Sequence, residues 1–318
     1  MIKLQRLIVT SGPIAFLIRK SKQITIPGFQ GIPLYDVVVF FFKQINKVGL
    51  NERAAAISFN FIMAIPASML FIFTIVPYLP IGKSFNTQIL KIVRDITPDP
   101  KTYALIEDFL ADFFYTPRGG LLSFGILLVI FYASNAMMGI IRTFDKSIIQ
   151  GKGYFLQKRI RAIKLTLMLI LLVIAFVLLL IGQEALVKWL FGIKKTIKLA
   201  WWQYVRWASI LGLIFIGISL IYKYAPSVQK RWKLVSPGSL LATFLTLIAT
   251  IILSYWVNNF ASANFNRLYS SIGTLLIVML LIFYNSLILL IGFELNVSIA
   301  LLKDEVAARK AREKELNG

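Results

Sequence analysis

The chain has 318 residues, 58% of them hydrophobic and 15% charged, with a mean hydropathy of +0.76. A soluble domain carries about 25% charged residues, and apolar runs of ~20 residues cannot all be buried in an aqueous fold, so a soluble globular protein is excluded. Lysine and arginine number 35 against 14 acids, while cysteine and histidine are absent. That excludes disulfides, thiolate metal sites and a cysteine nucleophile, and removes the commonest general base and metal ligand.

Residues 1–33 read as a cytoplasmic N-terminal segment. Its apolar stretches are interrupted by Gly12-Pro13 and closed by Arg19-Lys20 rather than by a small-residue cleavage site, so no cleavable signal peptide is expected. Leu34, Val38, Phe41, Ile45 and Val48 then recur at helical spacing, with Asp36, Lys43, Gln44 and Lys47 elsewhere on the helix. This pattern predicts an amphipathic helix lying in the interface and leading into the membrane.

The membrane domain spans 34–302, with six helices near 54–79, 121–142, 164–182, 207–224, 237–257 and 272–300. Pro66 falls inside the first, where neighbouring helices can cover the carbonyl it frees. The loop after it carries two more amphipathic stripes, Phe85, Ile89, Ile92 and Ile96, then Ile106, Phe109, Leu110 and Phe113. Asp99-Pro100 between them is an N-cap with proline at the first helical position. Trp189, Trp201, Trp202 and Trp207 sit around the fourth span as an aromatic belt would. The tail, 303–318, is charged in both signs and reads as a solvated helical extension. The predicted fold is an all-α, polytopic transmembrane bundle of six spans with interfacial amphipathic helices. Alternate loops hold 24 and 11 of the 35 cations, which places both termini in the cytoplasm by the positive-inside rule.

Three stretches together resemble the YihY / virulence-factor BrkB family, formerly labelled ribonuclease BN. Arg53-Ala-Ala-Ala-Ile-Ser-Phe-Asn-Phe-Ile-Met-Ala-Ile-Pro66 is similar to that family's alanine-rich first span. Ile221-Tyr-Lys-Tyr-Ala-Pro226, Arg231-Trp-Lys and Pro237-Gly238 resemble its tyrosine–alanine–proline turn and basic loop. Asn259-Phe260, Tyr269-Ser-Ser-Ile-Gly273 and Gly292-Phe-Glu-Leu-Asn296 resemble its ending. Phe59-Asn60 departs from the usual small and tyrosine-rich pattern, so no role is carried to Asn60. The resemblance implies a bacterial inner-membrane protein of six spans with envelope and virulence phenotypes, and no established biochemical activity.

Polar groups within spans are costly and therefore candidates for function. Glu294 is the one acid clearly inside a predicted span, within reach of Arg53 or Arg142, and either structural ion pairing or a functional role fits it. Asn135, Gly139 and Arg142 follow helical spacing on the second span. They read either as a groove for a lipid phosphate or as helix packing with an Arg142–Asp145 pair. Asn285 and Asn296 share a face with Thr274, and interhelical hydrogen bonds account for them as readily as a site. Ala54, Ser58 and Ser68 form a small face suited to close helix approach. Glu107, Asp108 and Asp112 read as a solvated acidic face rather than a cation site, and Asn258, Asn259, Asn264 and Asn266 as turn chemistry. The polar interior is thus drawn from Glu294, Arg142, Asn135, Arg53 and Asn285, with no cofactor, metal or catalytic residue expected.

Two-metal nuclease chemistry needs converging carboxylates or histidines, and the acids here do not supply them on the cytoplasmic side, so a ribonuclease and a nucleic-acid partner are rejected. The remaining readings are a protein that handles or translocates envelope lipids, with anionic phospholipids as its partners, and a scaffold that binds envelope proteins. A channel ranks below both.

Overall fold

The computed structural model describes residues 12–25, 28–29, 31–78, 90, 100–115, 118–148, 154–191, 202–227, 232–256 and 270–316. All regular structure among them is helical. Short α1 (Gly12–Gln23) and α2 (Leu34–Val48) precede α3 (Leu50–Ile75), which ends in one 3₁₀ turn at Val76–Tyr78. There follow α4 (Pro100–Tyr115), α5 (Gly119–Ser147), α6 (Phe155–Phe191), α7 (Trp202–Tyr224), α8 (Pro237–Trp256) and α9 (Ser270–Leu316).

Five of these are long and apolar enough to cross a membrane: α3, α5, α8, the Trp207–Tyr224 part of α7 and the Leu275–Glu313 part of α9. The expected third span, 164–182, lies within the continuous helix α6. Several expected ends move. The first span begins at Leu50 rather than 54, because the chain turns immediately before it: Gly49 closes α2 in the left-handed region, with φ 61°. A Cβ there would be strained and would lie 2.8 Å from the Glu52 carboxylate. The second span runs past Arg142 to Ser147. The last continues without a break into the charged tail.

The six long helices pack as a ring in chain order. Helix α3 contacts α5, α5 contacts α6, α6 contacts α7, α7 contacts α8, α8 contacts α9, and α9 returns to α3. Helix α2 docks on α9, α1 on α2, and α4 on α3. The buried stripe of α2 differs from the expected one: Val37 is fully buried and Val38 exposed, because the helix turns its face toward Leu295 and Ile299 of α9.

Burial is concentrated at the end of the ring where α2 docks. There Phe144 stacks on Phe293 (centroids 3.6 Å apart), with Tyr222 and Trp232 tilted against the same ring. Ile57, Ile140, Ile141, Leu165 and Leu290 complete this core. Toward the opposite end α3 and α5 stay in contact, with Thr74 and Gly125 buried, but the described residues of α8 and α9 are less covered. Leu275, Leu276, Val278, Met279 and Leu281 of α9 are all exposed, and at 100° per residue they point around most of the helix. The last turns of α8 behave likewise, with Ile251, Ile252 and Tyr255 each more than 60% exposed.

Of the outer-loop expectations, Pro100 does open α4 and Leu110 is buried. Asp112 pairs with Arg118 at 2.6 Å. The Phe85–Ile96 stripe, Asp99, the asparagine cluster and Trp201 lie outside the described residues, Trp189 falls within α6, and Trp207 is exposed.

Candidate functional site

The centre of the packed end is a charged group shared by three helices. Glu294 of α9 is fully buried. Its Oε1 accepts a hydrogen bond from the Ser147 hydroxyl of α5, and the Arg53 guanidinium of α3 stands 3.7 Å away. Arg53 donates to the same hydroxyl at 2.6 Å, so Ser147 links the cation to the carboxylate. The second oxygen, Oε2, is buried without a hydrogen-bond partner. Gln44 of α2 faces this carboxyl group.

Local sequence explains the arrangement. Met137, Ile140, Ile141 and Phe144 form the buried face of α5, and the next position on that face at helical spacing is Ser147. Arg53 lies in the first turns of α3 and keeps 17% of its side chain exposed. It therefore reaches Glu294 from the edge of the bundle, retaining part of its hydration.

The other expected site residues lie elsewhere. Arg142 is exposed, 5.7 Å from the ring of Phe155. Asn135 accepts a 2.5 Å hydrogen bond from Arg159, whose guanidinium lies 5.1 Å over Phe131. Asn285 donates to Leu281 O of its own helix at 2.8 Å. Glu294 and Arg53 are thus brought together, while Arg142, Asn135 and Asn285 are not part of their group. Nor does Arg142 pair with Asp145. That carboxylate is taken by Lys158 at 2.7 Å and by the backbone and hydroxyl of Ser227, and Arg161 also donates to Ser227 at 2.6 Å. Here α6 and the turn after α7 close over the end of α5.

A third polar group holds α8 against α9. Ser236 caps α8: its hydroxyl accepts from Ser239 N and the Ser239 hydroxyl accepts from Ser236 N, at 3.2 and 3.0 Å, a reciprocal cap with Pro237 at the first helical position. The Asn296 side chain accepts from Gly238 N at 2.9 Å and donates to the Ser236 hydroxyl at 3.0 Å. Beside it, a Cβ on Gly292 would lie 2.5 Å from both Gly238 O and the Tyr222 hydroxyl. That hydroxyl donates to Leu289 O at 2.7 Å.

Residues 41–316 match the family model described as virulence factor BrkB. The chain belongs to that family. It is also 26% identical over 264 residues to the ribonuclease-like protein YfkH of Bacillus subtilis (strain 168), covering 80% of this chain and 94% of that relative. No solved structure matches the chain.

For this BrkB-family chain, several residues of the stretches that carried the resemblance come together in space. Tyr222, Gly238, Gly292, Glu294 and Asn296 all lie at the packed end, and Arg53 faces them from α3. Ser147 and Gln44 were not legible as partners of Glu294. Ser147 lies beyond the expected end of its span and Gln44 on a helix read only as an interfacial anchor. The stripe from Met137 through Phe144 was the available signal for Ser147.

Proposed function

We propose that this BrkB-family membrane protein handles phospholipids between the leaflets of a bacterial inner membrane, with both termini cytoplasmic and without enzymatic chemistry. The observation that carries the reading is an asymmetry among the described residues of α8 and α9: tightly packed around a buried charged group at one end, with exposed apolar side chains toward the other. Apolar side chains exposed around α8 and α9 offer contact for acyl chains, while the exposed Lys43 and Lys47 at the packed end offer contact for charged headgroups. A basic chain of this kind also draws anionic lipids to its surface. Asp145 is committed to Lys158 and Asp112 to Arg118, so neither carboxylate is free for the ribonuclease-like role that the Bacillus relative's name suggests.

Leaflet exchange of fluorescent phospholipids in liposomes carrying the purified protein tests this reading. Exchange above that of empty liposomes is expected for the native chain, falling toward the empty level in a folded Glu294→Gln variant. Exchange that never exceeds the empty level overturns translocation and leaves the scaffold reading, for which crosslinking should then recover an envelope protein partner.

A further inference from the structure

A second polar feature lies on the outside of the packed end. Helix α2 and the C-terminal part of α9 enclose a cleft of about 500 Å³, within the range of roughly 300–1,000 Å³ typical of small-ligand sites. One wall carries Lys43 and Lys47, the other Asp304 and Glu305, and Phe40, Leu301 and Ala308 line the remainder. All four charged side chains are exposed, and among the described residues no ion pair joins them. The cleft thus presents a positive and a negative wall with no direct ion pair between them. Gln44 lines it too, and the same side chain faces Glu294, whose Oε2 is buried and unpartnered.

Its position along the membrane normal follows from length. Helix α9 has 47 residues, about 70 Å at 1.5 Å per residue, more than twice a hydrocarbon core of ~30 Å. It must therefore leave the apolar layer, and its sequence changes from Ile-Ala-Leu-Leu to Lys-Asp-Glu at residues 302–303. The cleft residues of α9, 301–308, straddle that change, at the depth of lipid headgroups.

We propose that this cleft binds a phosphate-and-primary-ammonium zwitterion, the headgroup chemistry of an aminophospholipid. Lys43 and Lys47 hold the phosphate as point charges, and Asp304 and Glu305 accept hydrogen bonds from the ammonium. A trimethylammonium has no N–H to donate, and a glycerol headgroup has no cation for the acidic wall. The net charge of the chain draws it to an anionic surface, but the balanced walls select the zwitterion. In its link to membrane lipid the proposal rests on the lipid-handling reading.

The test titrates purified full-length protein in detergent with phosphatidylethanolamine, phosphatidylcholine, phosphatidylglycerol and soluble phosphoethanolamine, reading bound ligand by native mass spectrometry. The expected preference for phosphatidylethanolamine is about fivefold, the scale of two exposed charge pairs of ~0.5 kcal/mol each. Asp304→Asn/Glu305→Gln should abolish the preference, and Lys43→Gln/Lys47→Gln should weaken both phosphatidylethanolamine and phosphatidylglycerol. Soluble phosphoethanolamine bound with the same dependence on Asp304 and Glu305 supports the zwitterion site with a free ligand; binding confined to the lipid supports it with a lipid ligand. Equal binding of all three lipids, or a preference that survives Asp304→Asn/Glu305→Gln, overturns it. Exchange in liposomes without headgroup preference would remove the cleft alone, whereas preference without exchange would remove translocation and leave the cleft.

Discussion

A single carboxylate decides the character of the packed end. Glu294 has no solvent contact, and its compensation comes from one hydroxyl, one guanidinium and the Gln44 side chain that faces it. Removing one partner of a buried pair costs about 3–5 kcal/mol, because the charge left behind is uncompensated. Arg53→Ala should therefore lower the thermal midpoint of the detergent-solubilised protein more than Glu294→Gln does, since a neutral amide can still accept from Ser147. The double variant Arg53→Ala/Glu294→Gln should recover at least half of the Arg53→Ala loss. Thermal unfolding followed by size-exclusion fluorescence reads all three, and a double variant no better than Arg53→Ala would mean that the pair contributes nothing by its charge. Glu294 was legible in the sequence because an acid in an apolar run is conspicuous, and Arg53 was within reach as one of two candidate cations. Arg142 was the wrong alternative: its place on α5 turns it outward toward Phe155, and helical phase decides that, not proximity to the membrane boundary.

Helix elements meet most closely where side chains are smallest. Gly238 and Ala242, one turn apart on α8, face Gly292 on α9, a small-residue crossing of the kind that drives helix association where water cannot. A Cβ on Gly292 would lie 2.8 Å from the Ala242 Cβ as well as against Gly238 O and the Tyr222 hydroxyl, so the crossing would have to open. Gly292→Ala should destabilise by about 1–3 kcal/mol, the usual cost of overpacking, and weaken the Tyr222–Leu289 bond. Gly212→Ala and Gly217→Ala on α7 meet nothing and should be neutral or stabilising by up to ~1 kcal/mol through helix propensity. Equal behaviour of these variants and Gly292→Ala in thermal unfolding would remove the crossing from the account. The existence of the long helices was legible from their apolar runs alone. Their ends were not, because charge marks where a helix can meet water and not where its hydrogen-bond ladder stops: α5 passes Arg142, Asp145 and Lys146 before ending. The glycine spacing was equally available in Gly238-x-x-x-Ala242, but its partner on α9 required the third dimension.

At the scale of the whole molecule the ring brings α2 and the C-terminal part of α9 to one end, since both line one cleft. Helix α4 follows α3, which carries the chain from that end across the membrane, and α4 rests on α3 and its terminal 3₁₀ turn at Val76–Tyr78. The two ends therefore lie on opposite faces, and the unequal distribution of lysine and arginine is the basis for the proposal that the α2 end is cytoplasmic. The absence of cysteine lets one introduced thiol report its side without background. Leu105→Cys, on an exposed position of α4, should react with a membrane-impermeant maleimide added from the periplasmic face. Glu305→Cys, on the exposed tail of α9, should react only once the cytoplasmic face is opened, as in inverted vesicles. The reverse pattern would invert the molecule, turning the packed end and its buried charged group toward the outside. It would also direct the unpacked end to the cytoplasmic leaflet. The direction in which a lipid could enter the ring is thus tied to one labelling result, through the connection between cation placement, helix order and the side on which the bundle is closed.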